Sequence, residues 1–356
     1  MNCLPHNILC KKSETIAVFY NFTLCFSNLN MIQFLKFSCV KKYFIYSVLL
    51  LLVNSCNTDK ASTPERRELK SDKKLLEEII SPDFLTRVND NLIISSSNSK
   101  SDTMLYIYSL PDLKYVAGAV KKGSGPGEMR MFPMFCESSN RALYVWGYGP
   151  QTIKKFDINK KGELKFLDLI KLPRYEAFNN MHILNDSLFI YYLPDNLKIV
   201  KVDLKRNKYL DEIQMEKDAH NESFFYSNRG TIAVNDSFLV FAYLFKKQIN
   251  IYRVNDFKLK KEIIGDYEYR EPVAGDSDTP VYYTQIIAGE RFLYALCKEN
   301  KSNGVFMEVY NFDGLIVREF TFDITPNLFA VDENNKTIYG YGYDDRFEPY
   351  LLKFKY

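Results

Sequence analysis

Six times along this chain of 356 residues a polar turn opens onto an apolar strand, and no other feature constrains the fold as tightly. The clearest copy is Met181–Met215. Met181–Leu184 is a short apolar run, and Asn185-Asp186-Ser187 is a turn cluster whose side chains can bond their own backbone. Leu188–Leu193 (LFIYYL) reads as a strand buried on both faces. After Pro194-Asp195-Asn196, Lys198–Leu204 alternates polar with apolar, the period of a half-buried strand. Tyr209–Ile213 forms a weaker, more exposed fourth strand. Four antiparallel strands grading from buried to exposed describe one propeller blade.

The residues opening each second strand are Leu92, Leu143, Leu188, Leu239, Leu293 and Ile338, spaced 45 to 54 residues apart. Periods of about 40–50 residues with four strands each predict a propeller rather than a helical solenoid. The expected fold is therefore all-β, a six-bladed β-propeller with four-stranded antiparallel blades over 75–356. A two-sheet sandwich also has short strands at 8–12-residue intervals, but it does not explain six recurrences of one four-part pattern. The last repeat ends at Tyr356 with three strands, so Leu75–Ile80 (LLEEII) is expected to supply its missing outer strand and remove two open edges.

Ahead of the repeats the chain changes character. Residues 1–30 match nothing downstream and read as an over-long start, with Met31 the true one. Lys36, Lys41 and Lys42 precede an eleven-residue apolar run, Tyr43–Val53, which is too short to span a bilayer. Cys56 follows directly. Residues 31–55 thus have the layout of a secretory signal, and Asn57–Lys74, mostly charged and polar, reads with Cys56 as a tether over 56–74. Leu52-Val53-Asn54-Ser55-Cys56 resembles the lipobox of bacterial lipoproteins, with Val53 and Ser55 as variants. That resemblance implies acylation of Cys56 and a place in the cell envelope, at the outer membrane; the alternative is an ordinary signal with an incidental cysteine. Residues 1–55 carry +4 of the total charge of +3, leaving −1 on the remainder. A nearly neutral domain has no basic footprint for nucleic acid.

Long connections join each fourth strand to the next first strand, at 121–132, 171–180, 214–230 and 264–283. The first carries Gly123, Gly125, Pro126, Gly127 and Glu128 (GSGPGE), a tight loop with positive φ available to its glycines. No helix follows it, so it fails the context of a dinucleotide fingerprint. It reads as a structural corner in which Glu128 accepts backbone hydrogen bonds. Together with PMFCESSNRALYVWGYGPQTIKKFDI it resembles the six-bladed, TolB-like β-propeller lipoproteins of Bacteroides-type bacteria, in which a G-x-G-P-G-E loop joins the first two blades. Met129 replaces the usual aromatic. The resemblance covers about 75–356 and the leader, and it implies a fold and an address but no chemistry.

Catalytic residues are not forthcoming. Past the leader only His182 and His220 remain, too few for a zinc site of the usual kind. His182 lies in a first strand and can face the channel; His220 lies in a polar run. Cys136 and Cys297 fall in repeats two and five, opposite in a six-fold ring, and are expected to be buried free thiols. Asp276-Ser277-Asp278 has part of a calcium loop but lacks its later Gly and Glu. The first strands are mainly apolar, with Arg87, Glu137, His182 and Gln285 as exceptions. No catalytic residue, metal site or cofactor is expected. The long-connection face carries Arg130, Arg174, Tyr175, Tyr226, Arg229, Arg270, Tyr282 and Tyr283, and Tyr and Arg are typical anchors of binding sites. The expected function is a lipid-anchored, non-catalytic binding module for a protein, peptide or glycan, the alternative a channel-centred hydrolase or lyase.

Overall fold

Five four-stranded meanders and a final one of three strands follow one another along the chain, and every regular element is a β-strand among the described residues. The computed structural model describes residues 64, 66–99, 101–131, 133–138, 142–147, 152–159, 161–172, 176, 178–216, 227–267, 269–273, 278–298 and 304–356. Three strands come first: β1 (Arg66–Leu69), β2 (Ser71–Leu75) and β3 (Ile79–Ser81). Blade one is β4 (Phe84–Val88), β5 (Asn91–Ser95), β7 (Thr103–Ser109) and β8 (Lys114–Lys121), with the short β6 (Asn98–Ser99) paired to β3. Blade two is β9 (Pro133–Ser138), β10 (Leu143–Gly147), β11 (Thr152–Ile158) and β12 (Leu164–Lys171). Blade three is β13 (Asn179–Leu184), β14 (Leu188–Leu193), β15 (Lys198–Asp203) and β16 (Lys208–Gln214). Blade four is β17 (Gly230–Val234), β18 (Phe238–Tyr243), β19 (Gln248–Arg253) and β20 (Leu259–Ile264). Blade five is β21 (Tyr283–Ala288), β22 (Phe292–Lys298), β23 (Val305–Asn311) and β24 (Ile316–Phe322). Blade six has β25 (Leu328–Asp332), β26 (Thr337–Tyr343) and β27 (Pro349–Lys355).

The sequence gradient within each repeat reflects its radial position. Second strands such as β5 and β10 are buried throughout, whereas fourth strands such as β16 are exposed almost throughout. Each sheet buries both faces against its neighbours, and six hydrophobic clusters result, one between each successive pair of blades. One of them packs Tyr339 and Leu351 of blade six against Leu92 and Tyr106 of blade one. Burial on both faces also corrects the half-buried reading of Lys198–Leu204. Lys201 is buried, its ammonium donating to the carbonyls of Val254 and Asn255 and lying 4.1 Å from the centroid of the Phe257 ring in blade four. A long aliphatic stem under a charged head lets lysine occupy such a place.

The N-terminal segment differs from expectation in detail. The strand paired to β27 is β2, with Ser71 opposite Phe354 and Leu75 opposite Tyr350, not Leu75–Ile80. Leu76 and Ile79 are instead buried between blades six and one, because apolar side chains gain more there than on an exposed edge. The polar stretch read as tether therefore contains two strands. Immediately before β2, β1 adds a fifth, parallel strand to the outer edge of blade five, with Arg66 opposite Glu319 and Leu69 opposite Phe322. Charged side chains do not prevent this, since an edge strand needs only one buried residue, here Leu69. Residues 1–55 and Cys56 lie outside the described residues.

Candidate functional site

The GSGPGE loop is a corner, built as the sequence suggests but for another reason. None of Gly123, Gly125 and Gly127 adopts a positive φ. Glycine is needed at 123 because a Cβ there would lie 2.1 Å from Glu128 Oε2. Glu128 Oε2 accepts from the Gly125 N–H at 2.9 Å, and the Glu128 N–H donates to the Gly125 carbonyl at 3.0 Å. Lys154 of β11 donates to the carbonyls of Gly125, at 3.0 Å, and Glu128, tying the loop to blade two. Met129, standing where an aromatic was the expectation, is buried between blades one and two.

The six innermost strands line a central channel. Phe84, Met134, Asn180, Thr231, Thr284 and Leu328, one from each blade, face a segment of about 160 Å³. The polar exceptions of the first strands meet here and at the adjoining mouth, of about 660 Å³. Two of them act as stitches between blades. Arg87 Nη2 pairs with Asp332 Oδ2 at 2.9 Å, joining blades one and six. The Gln285 amide donates to the Phe329 carbonyl at 3.2 Å and accepts from its N–H at 3.1 Å, joining blades five and six. Side chains take this role because, among the described inner strands, only β9 and β13 pair directly through their backbones. That parallel pairing sets His182 opposite Glu137. His182 is 3% exposed; its Nε2 lies 3.4 Å from the Ile232 carbonyl and its Nδ1 3.7 Å from Glu137 Oε2. A carbonyl only accepts, so Nε2 carries the proton and Nδ1 turns its lone pair to Glu137. Burial holds the His182 pKa down at about 4 and lifts that of Glu137 to about 7.

A larger cavity, of about 970 Å³, opens between blades four and five under the connection from β20 to β21. Arg270, Tyr282 and Tyr283 of the expected face line it, joined by Tyr267 and Tyr269. Tyr267 stands edge-on to Tyr282 at 5.6 Å between centroids. Behind the wall lies Glu308, 1% exposed. Its Oε1 is 3.2 Å from Lys247 Nζ, and its Oε2 accepts from Tyr310 at 2.5 Å, Tyr283 at 3.3 Å and the Cys297 thiol at 3.4 Å. Burial would lower the Lys247 pKa, but the Glu308 carboxylate outweighs it and raises it. Burial pushes Tyr283 and Cys297 up, so both stay protonated. Tyr283 is thus first a support for the wall and only second a surface. Arg66, carried in by β1, stacks 4.2 Å from the centroid of the Phe306 ring and pairs with Glu319 at 3.1 Å.

The other residues of the expected face do not join this cavity. Arg130 donates to the Ser124 hydroxyl at 3.0 Å beside the glycine loop. Arg229 pairs with Asp195 at 2.9 Å, between blades three and four. Arg174, Tyr175, Tyr226 and His220 lie outside the described residues, as do Asp276 and Ser277. Arg66, Lys247, Lys298, Phe306 and Glu308 were not legible as site residues. A lone Glu within the apolar run VFMEVY was the available signal for the last, since a buried carboxylate needs partners. Cys136 and Cys297 are free and buried, as expected. Among the described residues no group of three or more His, Cys, Asp and Glu is placed to hold a metal ion.

Comparison with known proteins agrees with this architecture. No curated protein matches the sequence. Among solved structures, one described as an exported protein of Bacteroides fragilis aligns with a TM-score of 0.53 and 15% identity, over 82% of this chain and 98% of that one. The U3-55K protein aligns with a TM-score of 0.52 and 8% identity, over 80% and 98%. At such identities the likeness speaks for the fold alone. The family described as TolB-like 6-blade propeller-like matches residues 61–334, which takes in β1, β2 and the blades as far as β25, and the chain belongs to that family.

Proposed function

We propose that this chain is a non-catalytic binding module whose protein, peptide or glycan ligand seats in the cavity between blades four and five. The observation that carries the reading is the cavity itself, about 970 Å³, walled by tyrosines and charged side chains beside a firmly held carboxylate network. Ligand sites are concave and carry a few fixed polar groups among aromatic ones. The module acts from the cell envelope, on a lipid at Cys56, at the outer membrane. Supporting this are the basic, apolar and cysteine segments of 31–56 and the exported relative of the same fold. In the same reading β2 closes the ring as the outer strand of blade six.

A thermal melt of the purified chain against glycan and peptide panels tests the ligand. A binder of the native state raises the midpoint, and the rise grows with the logarithm of ligand concentration above Kd; Tyr269→Ala abolishes it. A rise that Tyr269→Ala leaves untouched refutes the cavity as the site. Cys56→Ala moves the protein from the membrane to the soluble fraction; retention refutes the lipid anchor. The Glu137–His182 pair favours a second reading, a channel-centred hydrolase or lyase, and hydrolysis of a panel substrate lost in Glu137→Gln is its signature.

A further inference from the structure

Given a lipid anchor at Cys56, a reading on which this inference rests, one edge of the ring is held close to the bilayer. Pro64, eight residues after Cys56, lines a hollow of about 400 Å³ on the outer edge of blades five and six. Eight residues span at most about 29 Å, so the hollow stays within that reach of the anchored lipid. Arg67 of β1, Arg318, Glu319 and Phe320 of β24, Lys336 and Tyr356 line it as well. Alternation along β1 sends Arg66 to the cavity between blades four and five and Arg67 here. Arg66 and Glu319 answer each other at 3.1 Å, and Glu68 answers Lys70 at 2.6 Å. Arg67, Arg318 and Lys336 are exposed and make no ion pair among the described residues. Arg318 is held by rings rather than by a carboxylate, 5.6 Å from the centroid of Phe292 and 5.7 Å from that of Tyr356, which leaves its N–H donors to a ligand. The Tyr356 ring is fixed in turn, its hydroxyl 2.8 Å from that of Tyr294. The next acid, Glu333, is taken by Arg291 at 3.5 Å. With partners counted, Arg66, Arg67, Arg291, Arg318 and Lys336 stand against Glu319 and Glu333, and a terminal carboxylate on Tyr356 would still leave a positive excess. The chain from Cys56 onward carries only −1 in all, so the excess is local. A phosphodiester stays charged at physiological pH, and the guanidinium fork fits its oxygens. Such a hollow could meet a soluble anion anywhere on the ring; its place at the root of the anchored segment selects the bilayer.

We propose that this basic edge of blades five and six docks on the anionic headgroups of the membrane, with lipid phosphates met by Arg67, Arg318 and Lys336, and so fixes which edge of the ring faces the bilayer.

The test is cosedimentation of the chain from Asn57 with vesicles of phosphatidylcholine alone and of phosphatidylcholine and phosphatidylglycerol in equal parts. That chain holds every described strand and all six hydrophobic clusters, and it carries neither a lipid nor the apolar leader. The mixed vesicles pellet it and the neutral ones do not. Arg67→Gln/Arg318→Gln/Lys336→Gln weakens the partition about 100-fold, roughly fivefold per cation, and rising salt weakens that of the wild type. Arg67→Lys/Arg318→Lys keeps both charges and pellets as the wild type does. Removing as many exposed cations from blade three, in Lys205→Gln/Arg206→Gln/Lys208→Gln, leaves pelleting unchanged. No pelleting with mixed vesicles, equal pelleting with neutral ones, or an equal loss in the blade-three or the charge-keeping variant overturns the proposal. Displacement by inorganic phosphate at constant ionic strength makes the hollow a site for a soluble anion and overturns it too. The anchor is judged apart, by Cys56→Ala, because three cations hold too weakly to keep that protein on the membrane. Its retention there, with cation-dependent pelleting of the chain from Asn57, refutes the anchor and leaves the basic edge. Its release, without such pelleting, refutes the edge and leaves the anchor.

Discussion

Glu137→Gln should expose a pH dependence that the wild-type protein hides. In the unfolded chain the two groups of the channel pair have ordinary values, 6.5 for His182 and 4.5 for Glu137; in the folded state they stand near 4 and 7. His182 has its folded pKa depressed, so its contribution is present above 6.5 and lost as pH falls toward about 4. Glu137 has its folded pKa raised, so its contribution is present below 4.5 and lost as pH rises through about 7. Between 4.5 and 6.5 both states therefore hold one proton on the pair, on His182 when unfolded and on Glu137 when folded, and the two slopes oppose each other. Glu137→Gln removes one of them. The His182 shift, at about 1.4 kcal/mol per unit, then costs roughly 3 kcal/mol between pH 6.5 and 4. Glu137 is 42% exposed to channel solvent, so its own opposing contribution is smaller, on the order of 1–2 kcal/mol after screening. The variant should thus lose about 1–2 kcal/mol more than wild type on acidification, a midpoint difference of about 2–3 °C for a domain this size. Thermal melts of both proteins from pH 4 to 7, read as the difference between the curves, cancel the titration of every other group. The Arg87–Asp332 stitch is present in both. Curves that run parallel across the range refute the shared-proton account of the pair.

The remaining expectations concern the frame. Gly123→Ala displaces the Glu128 carboxyl and should cost about 1 kcal/mol by urea denaturation, the value of the lost Gly125 hydrogen bond; in a Glu128→Ala background the same change should cost almost nothing. Lys73→Pro, in the middle of β2 opposite Leu352, should lower stability by about 1–3 kcal/mol, and an unchanged melt would count against β2 as a closing strand. Glu308→Gln leaves Lys247 without its carboxylate and weakens the hold on Tyr283 and Tyr310, at a cost of about 2 kcal/mol by chemical denaturation. Cys136 and Cys297 should react with iodoacetamide only at the rate of global unfolding, followed by mass mapping; fast modification of either in the native protein contradicts their burial.

The repeat was legible because every blade solves the same problem: one strand at the axis, one buried on both faces, one between neighbours, one at the rim. That radial gradient writes itself into polarity, so the second strands could be located from Leu92, Leu143, Leu188, Leu239, Leu293 and Ile338 within a residue of where they begin. It misled where polarity and position part company. Lys201 alternates like a surface residue and is buried, because its ammonium group finds carbonyls on the next blade. Leu75–Ile80 looked like an edge strand because it is apolar, yet the edge went to the charged Ser71–Leu75.

The sequence by itself determined the four-strand period, the number of blades, the corner at Gly123–Glu128 and the separation of Cys136 from Cys297, all consequences of local pattern and spacing. Only the tertiary structure decided which side chains share a site. His182 meets Glu137 because β9 and β13 pair in one particular register. Arg66 reaches Phe306 because β24, far along the chain, offers β1 an open edge beside it. Both are contacts between segments distant in the chain, and the free energy that selects them is that of packing whole sheets against one another, which no stretch of sequence carries alone.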